Sequence, residues 1–300
     1  MSTQKNQDPI EILLVSDTNY ASYLATTLVS ILKNAASDDI LRFHIVDGGM
    51  TQDDINKIEQ LKSVRDFEAI YYRPNIDEYL KYFRKDIDRF PVVVNYRLFL
   101  AKYLPETLDK IIYLDVDVIV LKSLRDLWET PLDGAFVAAI PDENIDMRHV
   151  KRLPLPDDYQ YFNSGILLFN LKKWRDENIL EQLLDVCVEI RDLIKLPDQD
   201  VLNVYASRTR YQKLPRRWNC HPRSYDEDDT VILHYMGVRY RLPRLDILFS
   251  YAAQTPYGKL PIQKKTYKFK RWLSRKKCQI VCLFLFKRKW RQKYRERHVF

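Results

Sequence analysis

The sequence predicts an α/β fold with a mostly parallel central sheet, and two patterns between Ile10 and Tyr72 support this prediction. Three short aliphatic runs alternate with two segments whose apolar residues recur at helical spacing. The aliphatic runs are continuous, which is typical of strands buried on both faces of a parallel sheet. Strand, helix, strand, helix, strand in this order indicates a nucleotide-type α/β half.

Each element of this half has its own local signal. The first helix, Tyr20–Lys33, follows the polar turn Ser16–Asn19, whose side chains can cap a helix. The second helix begins at Thr51 and carries Asp53 and Asp54 in its first turn, where acids complement the helix dipole. The strands are predicted at Ile10–Val15, Leu41–Val46 and Phe67–Tyr72.

The second half of the chain continues the alternation without an internal repeat. A helix at Val92–Tyr103 is expected to end before Pro105, because proline disfavours helical backbone in the residue before it. The remaining elements are predicted as strands at Lys110–Leu114, Ala135–Ile140, Phe162–Leu171 and Val231–His234, with a long helix at Lys173–Ile194.

Charge divides the chain into two regions, which we interpret as its domains. Residues 1–258 carry 33 basic and 40 acidic residues, whereas residues 259–300 carry 16 basic residues and a single acid, Glu296. The first region is the predicted α/β domain. The second is interpreted as a basic, aromatic C-terminal helical appendage that suits an anionic membrane surface. A helix docked on the domain is the alternative, and no nucleic-acid partner is expected, because no nucleic-acid motif accompanies the charge.

Composition also bears on location. Hydrophobic residues make up 46% of the chain, which argues against disorder. The four cysteines show neither a CxxC pair nor zinc spacing, so free thiols in a reducing compartment are expected. No secretory signal opens the sequence, and no apolar run approaches the roughly 20 residues of a spanning helix. We therefore expect a cytoplasmic protein, associated peripherally with the cytoplasmic face of the membrane.

Two carboxylates directly follow the strand Lys110–Leu114, in the step Asp115-Val116-Asp117. Side chains two residues apart on extended backbone point to the same side, and ligands of open α/β sheets bind beyond the carboxyl ends of strands. Two adjacent carboxylates are unfavourable unless a cation neutralises them. Their oxygens suit Mg²⁺ or Mn²⁺, and such an ion can bridge phosphate oxygens as well.

Two other interpretations of this pair remain open. In the first, Asp117 caps the next element and Asp115 is merely solvated. In the second, the run LDVDVIV resembles the nucleophile motif of haloacid-dehalogenase-like phosphatases, in which Asp115 would attack a phosphoryl group and Asp117 would be the acid/base. That motif normally opens its domain, whereas a full βαβαβ unit precedes it here.

Four further blocks accompany the pair. They are the turn Ser16–Tyr20, the run YFNSGILLFNLKKWR at Tyr161–Arg175, DQDVLN beginning at Asp198, and the HxxG step from His234 to Gly237. Together with YLDVDVIV, these blocks resemble the family 8 retaining glycosyltransferases, among them the bacterial lipopolysaccharide galactosyl- and glucosyltransferases and, more distantly, glycogenin. The resemblance covers most of the chain and implies a GT-A-type nucleotide-diphospho-sugar transferase fold.

The resemblance also implies the ligands and their residues. The donor would be a UDP-hexose carrying galactose or glucose, and the acceptor a saccharide or lipid-linked glycan. Asp115, Asp117 and His234 would hold Mn²⁺, with Mg²⁺ the other candidate, since a shell of oxygen and imidazole favours Mn²⁺. The other donor-binding residues would be Asp17, Asn19 and Tyr20 at the uracil and ribose, with Arg97, Val116, Asp142, Asn163, Ser164, Gly237 and Arg239.

Members of this family retain the anomeric configuration of the transferred sugar. Gln199 is a poor nucleophile because its amide does not ionise, so a front-face reaction is favoured over a covalent intermediate. The residues expected to be catalytic are Gln199, as a stabiliser of the oxocarbenium-like centre, and Asp198, which would position the sugar. A non-catalytic sugar-nucleotide-binding protein is the second hypothesis, and the intact set of site residues argues against it.

One position departs from the family pattern. The family often continues HxxGxxKPW, with the lysine at the diphosphate, but Tyr240 stands at the lysine position here. Arg239 or Arg241 could supply the charge from a neighbouring position, with altered geometry.

Overall fold

The computed structural model describes residues 8–82, 92–236 and 242–261. Its strands are β1 (Ile10–Ser16), β2 (Leu41–Asp47), β3 (Glu68–Tyr72), β4 (Lys110–Leu114), β5 (Val118–Val120), β6 (Val137–Pro141), β7 (Phe162–Asn170), β8 (Gln212–Lys213) and β9 (Ile232–His234). Its α-helices are α1 (Ala21–Asn34), α2 (Gln52–Glu59), α3 (Leu100–Tyr103), α4 (Arg125–Trp128), α5 (Met147–Val150), α6 (Leu171–Asp176), α7 (Ile179–Glu189), α8 (Pro197–Arg208) and α9 (Leu245–Ala252). Short 3₁₀ segments lie at Gln60–Ser63, Asp77–Tyr82, Val92–Leu98, Arg216–Trp218 and Pro222–Ser224.

The central sheet has the strand order β3-β2-β1-β4-β7-β6-β8. β1 pairs in parallel with β2 and with β4, β2 with β3, and β6 with β8, whereas β7 is antiparallel to both β4 and β6. Six of the seven strands in the described part of the chain therefore run the same way. The predicted mostly parallel sheet is confirmed, with β7 as its exception.

The reversed direction of β7 matters for the site. Leu114, at the carboxyl end of β4, pairs with Ile166 near the start of β7. The residues just before Ile166, Asn163–Gly165, therefore lie at the same edge of the sheet as Asp115. The first half of β7 and the carboxyl ends of its antiparallel neighbours, β4 and β6, thus contribute to a single crevice.

A second, two-stranded sheet forms where the carboxylate pair ends. β5 pairs antiparallel with β9, and Val118 lies opposite His234. The backbone N–H of Tyr235 donates to the carbonyl oxygen of Asp117 at 2.9 Å. This pairing, which the sequence did not predict, carries a histidine from late in the chain to the carboxylates.

Continuous aliphatic strands are explained by burial on both faces of the sheet. In β1, Leu13 belongs to one hydrophobic core, while Ile12 and Leu14 belong to the other, and all three side chains are fully buried. Because both faces of such a strand are buried, its sequence shows no alternation of apolar and polar residues.

Two segments that were each predicted as one continuous helix differ from the prediction. Val92–Tyr103 is a 3₁₀ segment followed by the four-residue α3, and the run of β-branched residues at its start has low α-helix propensity. Lys173–Ile194 is divided into α6 and α7. Asn178, between them, has φ of 51°, and asparagine tolerates this left-handed conformation better than most residues.

None of the helices within the described residues is long and apolar enough to cross a membrane. The predicted appendage, residues 259–300, lies outside the described residues from position 262 onward.

Candidate active site

The carboxylate pair and the late histidine meet at the edge of the central sheet. His234 Nε2 lies 3.2 Å from Asp117 Oδ1 and 3.7 Å from Asp115 Oδ2. One potential ligand atom from each of the three residues lies within 4.8 Å of the others. The three predicted metal ligands are therefore together, although 117 positions separate Asp117 from His234.

Hydrogen bonds fix the segment that carries the carboxylates. The backbone N–H of Asp115 donates to the carbonyl oxygen of Gly165 at 2.7 Å, which joins the end of β4 to β7. Thr27 Oγ1, on α1, lies 2.8 Å from the carbonyl oxygens of both Val116 and Val118. Val116, predicted to bind the donor, therefore has its carbonyl oxygen tied to α1.

Gly165 lies directly behind the metal ligands. A Cβ atom at this position would be 2.3 Å from His234 Cε1 and 2.7 Å from Asp115 Oδ2. Both distances are shorter than real non-bonded contacts, so the two ligands can approach β7 only because residue 165 has no side chain.

Arg97 provides the positive charge beneath the carboxylates. Its Nη2 lies 2.9 Å from Asp115 Oδ1, its Nε lies 3.2 Å from Asp198 Oδ2, and its Nη1 donates to the carbonyl oxygen of Ser164 at 2.7 Å. Burial alone would lower the pKa of Arg97, but Asp115 and Asp198 outweigh it and raise the pKa. Arg97 therefore remains charged inside the protein and lowers the cost of holding several carboxylates together.

The imidazole of His234 is buried against the carboxylates. Burial alone would lower its pKa, but the charge of Asp117 and of Asp115 outweighs burial and raises the pKa. Tyr113 Oη also donates to Asp115 Oδ1 at 2.7 Å, which leaves Oδ2 on the side of His234.

The donor atoms of this cluster fit a divalent cation. Two carboxylates and an imidazole provide oxygen and nitrogen ligands of the type that Mn²⁺ accepts, with Mg²⁺ less suited to the imidazole. Because Gly165 leaves room for all three ligands on one side, the residues present are compatible with the metal that the sequence predicts.

The predicted sugar-side residues form a second cluster next to the metal ligands. Gln199 Oε1 accepts hydrogen bonds from Ser164 N at 3.1 Å, from Asn163 Nδ2 at 3.2 Å and from Ser164 Oγ at 3.3 Å. Gln199 lies in the first turn of α8, and Asn163 and Ser164 open β7. Three donors thus hold its amide oxygen in one place.

Asp198 presents an unsatisfied oxygen in this cluster. Its Oδ2 is buried and has no hydrogen-bond partner among the described residues, although Arg97 Nε lies 3.2 Å away. Burial raises the pKa of Asp198, and the charge of Arg97 acts in the opposite direction. The ion pair with Arg97 leaves Oδ2 without a hydrogen bond of good geometry, so this oxygen can still accept a hydroxyl from a ligand.

Asp142 faces the same cluster from the end of β6. Burial raises its pKa, against hydrogen bonds from the Asn144 backbone and from Asn163 and against the charge of His234. Asp142 is therefore in electrostatic contact with both the metal ligands and the amide cluster.

The turn after β1 is shaped by Asp17. Its Oδ1 accepts hydrogen bonds from the backbone N–H groups of Asn19 at 2.9 Å and Tyr20 at 3.1 Å. The pKa of Tyr20 is raised by burial and then by the charge of Asp117. Tyr20 is therefore close enough to Asp117 for the two groups to interact electrostatically, and its side chain remains 42% exposed.

Two predicted residues cannot be placed. Gly237 and Arg239 lie outside the described residues, as do Tyr240, which stands at the family's lysine position, and Arg241, which could supply the charge instead.

Sequence reasoning missed three residues that support the site. Tyr113 could have been found, because it lies two positions before Asp115 on the same strand face. Asp200 stands in the quoted DQD step, but nothing in the pattern showed that it is completely buried. Asn219, which contacts His234, had no sequence signal at all.

An α/β sheet of this order, with a carboxylate pair and a histidine at its carboxyl edge, is compatible with the GT-A-type glycosyltransferase fold that the sequence predicts. The sequence matches the family described as Glycosyl transferase family 8 over residues 11–239. The chain therefore belongs to glycosyltransferase family 8, as the sequence blocks predicted.

Relatives and solved structures agree with this assignment. A lipopolysaccharide 1,2-glucosyltransferase of Escherichia coli K12 is 31% identical over 211 residues, which cover 68% of this chain and 60% of that protein. General stress protein A of Bacillus subtilis is 28% identical over 220 residues, covering 72% of this chain and 75% of that protein. A crystal structure of LgtC superposes with a TM-score of 0.69 at 25% identity, covering 84% of this chain and 98% of LgtC. The GT-A fold is confirmed, and the phosphatase interpretation of Asp115 is dropped.

Proposed function

We propose that this protein transfers a hexose from a UDP-sugar, with retention of configuration, to a saccharide or lipid-linked glycan in a Mn²⁺-dependent reaction. The observation that carries the proposal is the convergence of Asp115, Asp117 and His234 beside the buried amide cluster of Asn163, Ser164 and Gln199. One cluster suits a metal-bound diphosphate, and the other suits a sugar.

The donor would extend across both clusters. Tyr20 and the Asp17 turn lie on the side of Asp117, where a uracil and ribose would be met. Asp115, Asp117 and His234 would hold the Mn²⁺, which when bound supplies Lewis-acid stabilisation of the negative charge on the leaving diphosphate. The hexose would then lie over Gln199 and Asp198.

On the sugar side, the chain's own residues orient the donor and stabilise charge. The oxygen of Gln199 is a fixed dipole that favours the positive charge developing at the anomeric carbon, and it needs no reorganisation during reaction. Oδ2 of Asp198, which is ion-paired with Arg97, would accept a sugar hydroxyl, and Asp142, which interacts with Asn163, would also approach the sugar. With Gln199 unable to ionise, a front-face route is favoured, in which the leaving diphosphate accepts the acceptor's proton.

The comparisons support a saccharide acceptor. One of the solved structures is the galactosyltransferase LgtC with donor and acceptor sugar analogues, with a TM-score of 0.68 at 25% identity. LgtC was also studied as an active-site mutant in which a glutamine is replaced by glutamate, which is consistent with an active-site role for Gln199. The lipopolysaccharide glucosyltransferase relative supports a role in lipopolysaccharide biosynthesis.

The test is Mn²⁺-dependent release of UDP from a panel of UDP-sugars, followed by an acceptor screen with the best donor. Asp115→Ala and Asp117→Ala should each lower kcat/KM by about 100-fold or more, because metal stabilisation of the leaving group contributes several kcal/mol. Asp185→Ala, at an exposed position of α7, is the control and should match the wild type. Unchanged turnover in both site variants would refute the proposed mechanism.

We also propose that the basic segment binds the anionic face of a membrane, where lipid-linked acceptors lie. Its 16 basic residues against one acid support this, because each lysine or arginine near an anionic surface contributes about 1 kcal/mol.

A chain ending at Pro261 keeps every described residue and should lose binding to vesicles of anionic lipid while still binding UDP. Co-sedimentation with anionic and with zwitterionic vesicles measures this. Equal binding of both chains to anionic vesicles would contradict the proposal.

A further inference from the structure

Asn163 and Asn219 are the two asparagines near His234. Their amide oxygen and nitrogen atoms can be assigned by following hydrogen bonds that start at backbone N–H donors. Asn163 Oδ1 accepts from the backbone N–H of Gly165 at 2.9 Å, so this atom must be the oxygen. Its Nδ2 then faces Gln199 Oε1, which is itself identified as an oxygen because the backbone N–H of Ser164 donates to it. Two main-chain donors thus fix the orientation of Asn163 from both ends.

That orientation determines the orientation of Asn219. Asn219 Nδ2 donates to Asn163 Oδ1 at 2.9 Å, and the reverse orientation would place two oxygens against each other. Asn219 Oδ1 is therefore the atom that lies 3.0 Å from His234 Nδ1. Because an amide oxygen can only accept, Nδ1 must carry the hydrogen.

The consequence lies on the other side of the imidazole ring. With Nδ1 protonated, Nε2 of the neutral ring carries the lone pair, and Nε2 is the nitrogen that faces Asp117 and Asp115. Metal-binding histidines are commonly held this way, by a partner that accepts the hydrogen of the other ring nitrogen.

We propose that Asn219 is the positioning residue of the metal site: it holds His234 as the Nδ1–H tautomer, with Nε2 directed at the cation. This inference rests on the proposed function, since it assumes that Asp115, Asp117 and His234 bind a metal. Asn219 is not one of the three proposed ligands, and it acts through His234.

The backbone around Asn219 is held firmly enough for this role. The N–H of Asn219 donates to the carbonyl of Arg216 at 2.8 Å, and the next residue, Cys220, pairs with β9 through Ile232 O at 2.9 Å and His234 N at 2.8 Å. Asn219 and His234 are therefore carried by adjacent, hydrogen-bonded segments, and the distance between their side chains is set by the main chain.

Two substitutions separate hydrogen bonding from packing. Asn219→Leu keeps the branched shape of the side chain but removes both the acceptor and the donor, whereas Asn219→Asp keeps an acceptor for Nδ1–H and loses only the donor to Asn163. Binding of Mn²⁺ alone is measured by the loss of its free-ion EPR signal. We expect Asn219→Leu to bind Mn²⁺ 10- to 100-fold more weakly, the usual effect of losing such a partner, and Asn219→Asp to bind within about threefold of wild type or more tightly.

If Asn219 only packed against its neighbours, the order of Mn²⁺ affinities would be reversed, because aspartate adds a charge and replaces the hydrogen bond to Asn163 with a contact between two oxygens. Equal weakening in both variants, or wild-type affinity in Asn219→Leu, would overturn the inference. A wild-type protein that leaves Mn²⁺ free would instead refute the metal component of the proposed function.

A second measurement uses the wild-type protein, so it remains valid even if the Asn219 variants do not fold. Two-bond ¹H–¹⁵N spectra of histidine-labelled wild-type protein, recorded with Zn²⁺ as a diamagnetic cation, report which ring nitrogen of each histidine carries a hydrogen and which binds the metal. The signal of His234 is identified by its loss in His234→Gln. A protonated Nδ1 with Nε2 at the cation supports the inference, and a cation on Nδ1 or a hydrogen on Nε2 contradicts it.

Discussion

Replacing Gly165 by alanine should abolish detectable Mn²⁺ binding and lower hexose transfer at least 100-fold. The added Cβ would lie 2.3 Å from His234 Cε1 and 2.7 Å from Asp115 Oδ2, so at least one ligand must move. The backbone of Gly165 cannot retreat easily, because its carbonyl accepts the N–H of Asp115 and its N–H donates to Asn163. Metal binding depends on ligand positions within a few tenths of an ångström.

The same methyl group should cost only about 1–3 kcal/mol of folding stability, the usual range for overpacking a core. Gly134→Ala is the matched control. Gly134 has φ of 75° and nothing within 4 Å of its Cβ position, so alanine there strains the backbone without approaching the ligands. Titration of Mn²⁺ against both variants, with thermal unfolding alongside, separates the effects. Wild-type Mn²⁺ affinity in Gly165→Ala would show that the ligands adjust freely, contrary to this account.

The second large effect is expected at Asp200, whose carboxylate is completely buried. It accepts hydrogen bonds from Tyr161 Oη at 2.7 Å and from the guanidinium of Arg152, and it lies 2.8 Å from His149 Nε2. Asp200→Asn removes the negative charge and leaves Arg152 without its counter-ion. Breaking a buried ion pair from one side typically costs about 3–5 kcal/mol, and we expect a loss near 3 kcal/mol in the free energy of unfolding.

Asp200 also shapes the start of α8. Its Oδ2 accepts from the backbone N–H groups of Lys195 at 2.8 Å and Leu196 at 3.0 Å, just before the turn that carries Asp198 and Gln199. Transfer activity should therefore fall together with stability, and Mn²⁺ affinity should change less.

Urea denaturation with linear extrapolation measures the stability loss. Asp146→Asn, which removes the carboxylate of a solvent-exposed pair with Arg148, is the control and should unfold at the same urea concentration as the wild type. A loss in Asp200→Asn as small as in this control would mean that the buried network contributes little.

Many of the helices and strands could be predicted because the sequence patterns that indicate them are local. The strand Lys110–Leu114 was placed at its observed bounds, and Thr51 caps α2 with the side chain of Asp54 as the polar pattern indicated. Asp115 and Asp117 could be named as candidate metal ligands because carboxylates two residues apart share a strand face, whereas His234 was named from the family resemblance. Local periodicity and turn chemistry carry this information without knowledge of the tertiary structure.

What the sequence lacked were contacts between distant segments. β5 has only three residues and exists because β9 pairs with it, so no local pattern marked it. The orientation of β7 decides that Asn163 meets Asp115, yet an apolar run is the same whichever way it points. Asn219 gained its role from one contact across the fold, and the break at Asn178 depends on a single left-handed residue.

The connection between β6 and β7 has a consequence for how this enzyme could diversify. Most of the donor-side residues stand on or directly beside buried strands and the start of α8, whereas the connection runs from the end of β6 at Pro141 to the start of β7 at Phe162. It is tied to α8 through His149 and Arg152 at Asp200, and Asp146–Arg148 lies exposed beside that tie. Mutations at the exposed residues of this connection, which make no contact with Asp200, could change the acceptor that binds while the donor site stays intact. Acceptor preference and sugar transfer could therefore evolve independently of each other.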